Sequence, residues 1–143
     1  MISSLDGRNR VLSNFWPSQV EFEGTVFPSV ENAYQAAKSL DPSFRKGFLD
    51  LTPGKAKRQG RKLKDIRPDW DSVKLQVMED LLRKKFSNRL ERLFLIATGD
   101  QHIQEGNTWG DKFWGVFAGE GENHLGRLLM KIRGEIRTGN SID

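Results

Sequence analysis

The stretch that most constrains the fold is "RPDWDSVKLQVMEDLLRKKF", Arg67 to Phe86. Trp70, Val73, Val77, Leu81 and Phe86 recur there at roughly helical spacing, and Asp69 or Asp71 stands where an N-terminal cap belongs. A helix with one apolar side must bury that side against other elements. A second segment asks for the same: "NHLGRLLMKIRGEIR" has Asn123 as a cap and Leu125, Leu128, Leu129, Ile132 and Ile136 along one side. The chain has the means to build that core, since 36% of its 143 residues are hydrophobic, with four Trp and nine Phe. One domain over residues 1–143 is the expectation.

The remaining elements are shorter. "QVEFEG" alternates Val20 and Phe22 with polar neighbours, Gly24 turns the chain, and "TVFPS" reads as the returning strand. Ser29 is placed to cap a helix from Val30, and Thr52 to cap another whose first position is Pro53. "LDPSFRKGFLDL" suggests one or two irregular helical turns, and "NRLERLFLIAT" a short helix ending near Gly99. "QHIQEGNTWGDKFWGVFAGEGEN" contains five glycines and reads as a strand plus an ordered loop. The sum is an α+β fold: mainly helical, with a small β-sheet in the first third and again near Ile103 to Val116.

Several function classes are disfavoured. Cysteine is absent and the two histidines, His102 and His124, stand far apart, so neither a disulfide framework nor a Cys- or His-ligated metal is expected. The opening "MISSLDGRNR" lacks an apolar leader core and no run is long enough to span a membrane, so a cytoplasmic protein is expected. The net charge of +4 is concentrated in "KAKRQGRKLK". Its cations Lys55, Lys57, Arg58, Arg61, Lys62 and Lys64 suit contact with DNA or RNA phosphates, or simply form a solvated helical side.

The chemistry-bearing feature is "SVENAYQAAKS". Glu31, Tyr34, Gln35 and Lys38 fall at i, i+3, i+4 and i+7, beside the small Ala33, Ala36 and Ala37. Each residue has a bland explanation: Glu31 suits the positive end of a helix, Tyr34 a core, Lys38 a surface. Together they make a polar row along a helix that alanines allow to pack closely. A carboxylate and an amine two turns apart supply an acid or base and a nucleophile or cation to one site. In "NTWGDKFWG", Trp109 and Trp114 flank Asp111 while Gly110 and Gly115 give the backbone latitude, which fits an aromatic platform beside a carboxylate or a loop folded on two core tryptophans. In "RVLSNFWPS", Ser13, Asn14 and Phe15 serve either turn hydrogen bonds or contacts to a ribose or phosphate.

"LSNFWPS", "ENAYQAAK", "NTWGDKFWG" and "NHLGRLLMKIR" occur in the order and at the approximate spacing of the NADAR family of YbiA-like N-glycosidases, which the chain resembles from about Val11 to Arg133. The resemblance implies cleavage of an N-glycosidic bond to ribose, with no metal or redox cofactor. Its substrates would be ADP-ribosylated guanine in nucleic acid or a phosphoribosylamine intermediate of riboflavin biosynthesis. By motif, Glu31, Lys38 and Asp111 are the implied catalytic groups. Ser13, Asn14, Phe15, Tyr34, Gln35, Trp70, Trp109, Gly110 and Asn123 are the candidate substrate contacts. Two jobs stay open for Lys38: a cation that binds phosphate, or a neutral amine that attacks the sugar. The alternative reading is a non-catalytic module binding ADP-ribose or a related nucleotide, which would tolerate loss of Glu31 or Lys38.

Overall fold

A computed structural model describes residues 1–139 of the chain. It is mainly helical, with one two-stranded antiparallel sheet among the described residues. The chain sorts into two compact units, Asn14–Lys85 and a second drawn from both ends, Met1–Ser13 with the chain from Phe86 onward.

In Asn14–Lys85 the expected hairpin forms. Strands β1 (Val20–Phe22) and β2 (Thr25–Phe27) pair with Val20 opposite Phe27 and Phe22 opposite Thr25. Glu23 and Gly24 between them both have positive φ, 47° and 88°, which is the tight turn whose twist matches a two-residue hairpin. Val20, Phe22 and Phe27 are buried while Glu21 and Val26 face out. Ser29 then caps α1 (Val30–Ala36), its hydroxyl accepting the Asn32 N–H at 3.1 Å. Every residue of α1 is buried, because α3, α4 and the hairpin all pack on it. Asn32 fixes its position. Its Nδ2 donates to the carbonyls of Phe48 (2.8 Å) and Leu51 (2.9 Å), satisfying chain that belongs to no helix.

Helix α2 (Pro42–Lys46) is capped by Asp41, and α3 (Pro53–Arg61) by Thr52 with Pro53 at its first turn, as expected. Helix α4 (Trp70–Lys85) buries Trp70, Val77 and Leu81 of the anticipated stripe, together with Met78 and Leu82, and leaves Val73 half-buried. Asp69 serves its start through the backbone, its carbonyl accepting the N–H groups of Ser72 and Val73. Its carboxylate turns instead to Arg67, at 2.6 and 2.9 Å.

The other unit contains a 3-10 helix, Gly7–Leu12, that buries Val11 and Leu12 and that the sequence reading did not anticipate. It packs on α5 (Arg89–Ala97), which also packs on α6 (His124–Arg137). Arg133 joins the two long elements, donating to Thr98 Oγ1 (3.0 Å) and to the Gln101 carbonyl (2.8 Å). On α6 Leu125, Leu129 and Ile132 are buried, with Leu128 and Ile136 at the margin.

Two expectations are corrected here. Ile103 to Val116 forms no second sheet among the described residues. It makes isolated bridges, Ile2 to Ile103 and Gly106 to Val116. A ladder needs consecutive extended residues, and this glycine-rich stretch bends between its bridges, with Gly110 at φ 87°. Asn123 also does not cap α6 with its side chain. It sits in the left-handed region at φ 54°, and its amide reaches back to the loop: Nδ2 donates to the Ile103 carbonyl (2.9 Å) and Oδ1 accepts the Glu105 N–H (3.0 Å). No helix among the described residues is long and apolar enough to cross a membrane.

Candidate active site

The polar row on α1 is buried, not solvated. Glu31, Tyr34 and Gln35 are 8%, 7% and 5% exposed, and Lys38, just beyond the helix end at Ala37, is half-buried. Backbone bonds hold both ends of the row. The Glu31 N–H donates to the Asn14 carbonyl (3.0 Å), and the Lys38 carbonyl accepts the Arg67 N–H (2.8 Å). One helical turn apart, Gln35 Nε2 donates to Glu31 Oε2 at 2.7 Å.

Burial dominates the electrostatics. It pushes the Glu31 carboxyl above its ordinary value. The Gln35 hydrogen bond and the charges of Lys57, Lys38 and Arg61 oppose that rise. Burial also lowers the Lys38 amine; Glu31 opposes that fall, while Arg61 and Lys74 reinforce it. The acid and the amine are thus both drawn toward their neutral forms, the condition under which a carboxyl donates a proton and an amine attacks carbon.

Aromatic rings stand beside this row. Tyr34 and Trp70 approach to 5.1 Å between ring centroids, and Lys38 Nζ lies 5.9 Å from the Tyr34 ring. Trp70 therefore belongs both to the core stripe of α4 and to the neighbourhood of Lys38. Phe15 is 42% exposed with Lys57 Nζ 6.0 Å from its ring. Within Asn14–Lys85, then, Glu31 is tied to Asn14 and Gln35, Tyr34 stands against Trp70 and Lys38, and Phe15 stands against Lys57. The basic run of α3 divides: Ala56 and Gly60 face the core, Lys57 and Arg61 act on Glu31, and Lys55, Arg58 and Lys62 lie on the opposite, exposed side, with Lys64 exposed beyond the helix.

In the other unit, Asp111 organises its own loop. Its Oδ1 accepts the N–H groups of Phe113 (3.0 Å) and Trp114 (2.9 Å), and its backbone is clamped by Asn107 through bonds of 2.8 and 3.0 Å. Gly110, at φ 87°, makes the turn before it. Trp109 is 52% exposed, whereas Trp114 joins a ring cluster with Phe113 (4.9 Å) and His124 (6.4 Å). Asn123 is buried with both ends of its amide in the loop bonds described above. Ser13 closes the 3-10 helix, its N–H donating to the Arg10 carbonyl at 3.0 Å. No group of three metal-ligating side chains occurs among the described residues.

Sequence reasoning passed over Asn32, Gly60, Arg67 and Lys74. A lone glycine inside a helix was a readable signal for Gly60. The contacts of the other three depend on chain folded back from elsewhere.

The fold and the row together define a small, mainly helical α+β protein with a buried carboxyl and amide on a short helix and a half-buried amine just past its end. The NADAR domain matches residues 4–137, spanning both units, and the chain belongs to that family. It is 40% identical over 130 residues to the N-glycosidase YbiA of Escherichia coli, covering 87% of this chain and 79% of that protein. An N-glycosidase of Nostoc punctiforme is 39% identical over 133 residues, covering 87% and 84%. A riboflavin biosynthesis protein of Vibrio vulnificus is 35% identical over 136 residues, covering 92% of this chain but 37% of that longer protein. The NMR structure of E. coli YbiA matches with a TM-score of 0.81 at 34% identity, covering 97% of this chain and 88% of that one.

Proposed function

We propose that this chain is a cytoplasmic N-glycosidase that hydrolyses the bond between a nitrogen and C1′ of a phosphorylated ribose. Its substrate would be ADP-ribose on guanine in nucleic acid, or a phosphoribosylamine intermediate of the riboflavin pathway. The observation that carries the reading is the Glu31–Gln35–Lys38 row, an acid on α1 and an amine just past its end both drawn toward neutrality, in a chain 40% identical to a named N-glycosidase.

In this reading the neutral Lys38 amine attacks C1′. The C1′–N bond breaks, its electron pair goes to the base nitrogen, and that nitrogen takes the proton of Glu31. Water then adds to C1′ and returns a proton to Glu31 as Lys38 leaves as the free amine. The products are the free base or amine and a ribose with a 1-hydroxyl. Lys57 and Arg61 are assigned to substrate phosphate, and Phe15, Tyr34 and Trp70 to the flat base or the sugar. Stacking of a base on such a ring contributes about 1–3 kcal/mol. Asp111 keeps the catalytic role its motif implies, that of a carboxylate. The exposed Lys55, Arg58 and Lys62 favour the nucleic-acid substrate, as contacts to strand phosphates.

The test is release of ADP-ribose from an oligonucleotide carrying ADP-ribosylated guanine, read by chromatography, with a ribosylaminouracil phosphate as parallel substrate. Glu31→Gln and Lys38→Ala should each abolish release while the protein stays folded. Cleavage of the small metabolite alone would move the protein to metabolite clean-up. Binding of ADP-ribose with no turnover of either compound would leave the non-catalytic module.

A further inference from the structure

We infer that Gln35 is a positioning residue for Glu31, and that residue 60 is glycine because the Gln35 amide occupies the space a side chain there would need. The functional half of this inference rests on Glu31 being the working acid; the structural half does not.

Gly60 lies inside α3 without a left-handed φ, so the backbone does not demand glycine. Glycine is the least favourable helix-interior residue after proline, which makes its presence there a matter of volume. A Cβ built on Gly60 would fall against Gln35 Oε1 itself, 2.5 Å from Cδ and 3.1 Å from Cβ. The amide head of Gln35 thus rests directly on the α3 backbone. Seated there, it directs Nε2 to Glu31 Oε2 at 2.7 Å, while its buried Oε1 has no hydrogen-bond partner among the described residues. An amide kept for fold stability alone would pair both ends, since a buried acceptor without a donor is costly. This one pairs only the end that faces the acid. Gln35 thereby fixes which carboxyl oxygen of Glu31 is engaged by protein, and we assign the other, Oε1, to substrate.

The closing experiment reads Glu31 without relying on turnover. Glutamate side-chain carboxyls are labelled with carbon-13 and titrated by NMR, the Glu31 signal being assigned by its absence in Glu31→Gln. Adding a methyl with Gly60→Ala should push the amide away. Losing a hydrogen bond that favours the carboxylate should raise the midpoint by about 1–2 pH units. Gln35→Met should raise it similarly, and the two combined should raise it no further, because they break the same contact. If Gly60→Ala does not fold, Gly60→Ala with Gln35→Ala supplies the missing room and should restore folding. A midpoint unchanged in Gly60→Ala, additive shifts in the pair, or no rescue by Gln35→Ala would overturn the inference. Full glycosidase turnover by Glu31→Gln would instead sink the proposed function and leave the titration result standing.

Discussion

Glu31→Gln should cost the protein its activity and make it more stable. Burial holds the carboxyl above its ordinary value of 4.5, so the folded chain keeps a proton that the unfolded chain releases. Between 4.5 and the higher folded value the native state binds one more proton than the unfolded state. The unfolding free energy therefore falls by about 1.4 kcal/mol for each pH unit in that window, and the loss is complete above it. Glutamine stays neutral at every pH, and its amide oxygen can still accept the Gln35 Nε2 bond that now reaches Oε2 at 2.7 Å. The stability difference between variant and wild type isolates the ionisation for that reason. It should be near zero in acid, grow through the window and level off at higher pH. The hydrogen bond from Gln35 and the charges of Lys57, Lys38 and Arg61 all favour the carboxylate, so they narrow the window without reversing its sign. Urea unfolding at a series of pH values, followed by fluorescence of the four tryptophans, measures it. A difference that does not change with pH, or a glutamine variant less stable than wild type at alkaline pH, would refute the reasoning.

Asn32→Asp is expected to destabilise the fold by about 2–4 kcal/mol near neutral pH, because an acceptor then faces the Phe48 and Leu51 carbonyls now 2.8 and 2.9 Å from Nδ2. Part of that loss should return in acid, where a protonated carboxyl can donate once, and thermal melts at two pH values check it. Replacing Lys55, Arg58 and Lys62 together with alanine should weaken binding of the oligonucleotide substrate and flatten its dependence on salt. The slope of log affinity against log salt should fall by about 2, three phosphate contacts on a single strand. Turnover of the small phosphoribosyl compound should be unaffected, and an unchanged slope would remove the nucleic-acid role from that side of α3.

Periodicity made the long helices legible. The stripe through Trp70, Val77 and Leu81 and the one through Leu125, Leu129 and Ile132 are local patterns, and both ended in the core. Caps were legible where the side chain's partners lie in the first turn of its own helix, as at Ser29 and Thr52. They misled at Asp69 and Asn123, whose side chains turn to other partners: the Arg67 guanidinium two residues upstream in one case, the Ile103–Glu105 backbone in the other. The row of Glu31, Tyr34, Gln35 and Lys38 could be read as a helical side, but its burial could not, because α3 and α4 arrive later in the chain to cover it. The division of the basic run was hidden for the same reason. Six cations in ten residues show no sides until Ala56 and Gly60 are seen to face the core.

The unit drawn from both ends of the chain imposes an order on synthesis. As the chain leaves the ribosome, Asn14–Lys85 has all its own residues within reach at an early stage. Ile2 must wait. Its N–H donates to the carbonyl of His102 and its carbonyl accepts the Gln104 N–H, both at 2.8 Å, and those residues emerge about a hundred positions later. Until then the first segment, Val11 and Leu12 included, lacks the helices α5 and α6 of its own unit. A peptide or protein fused in front of Met1 would be carried through that whole interval on an unanchored arm.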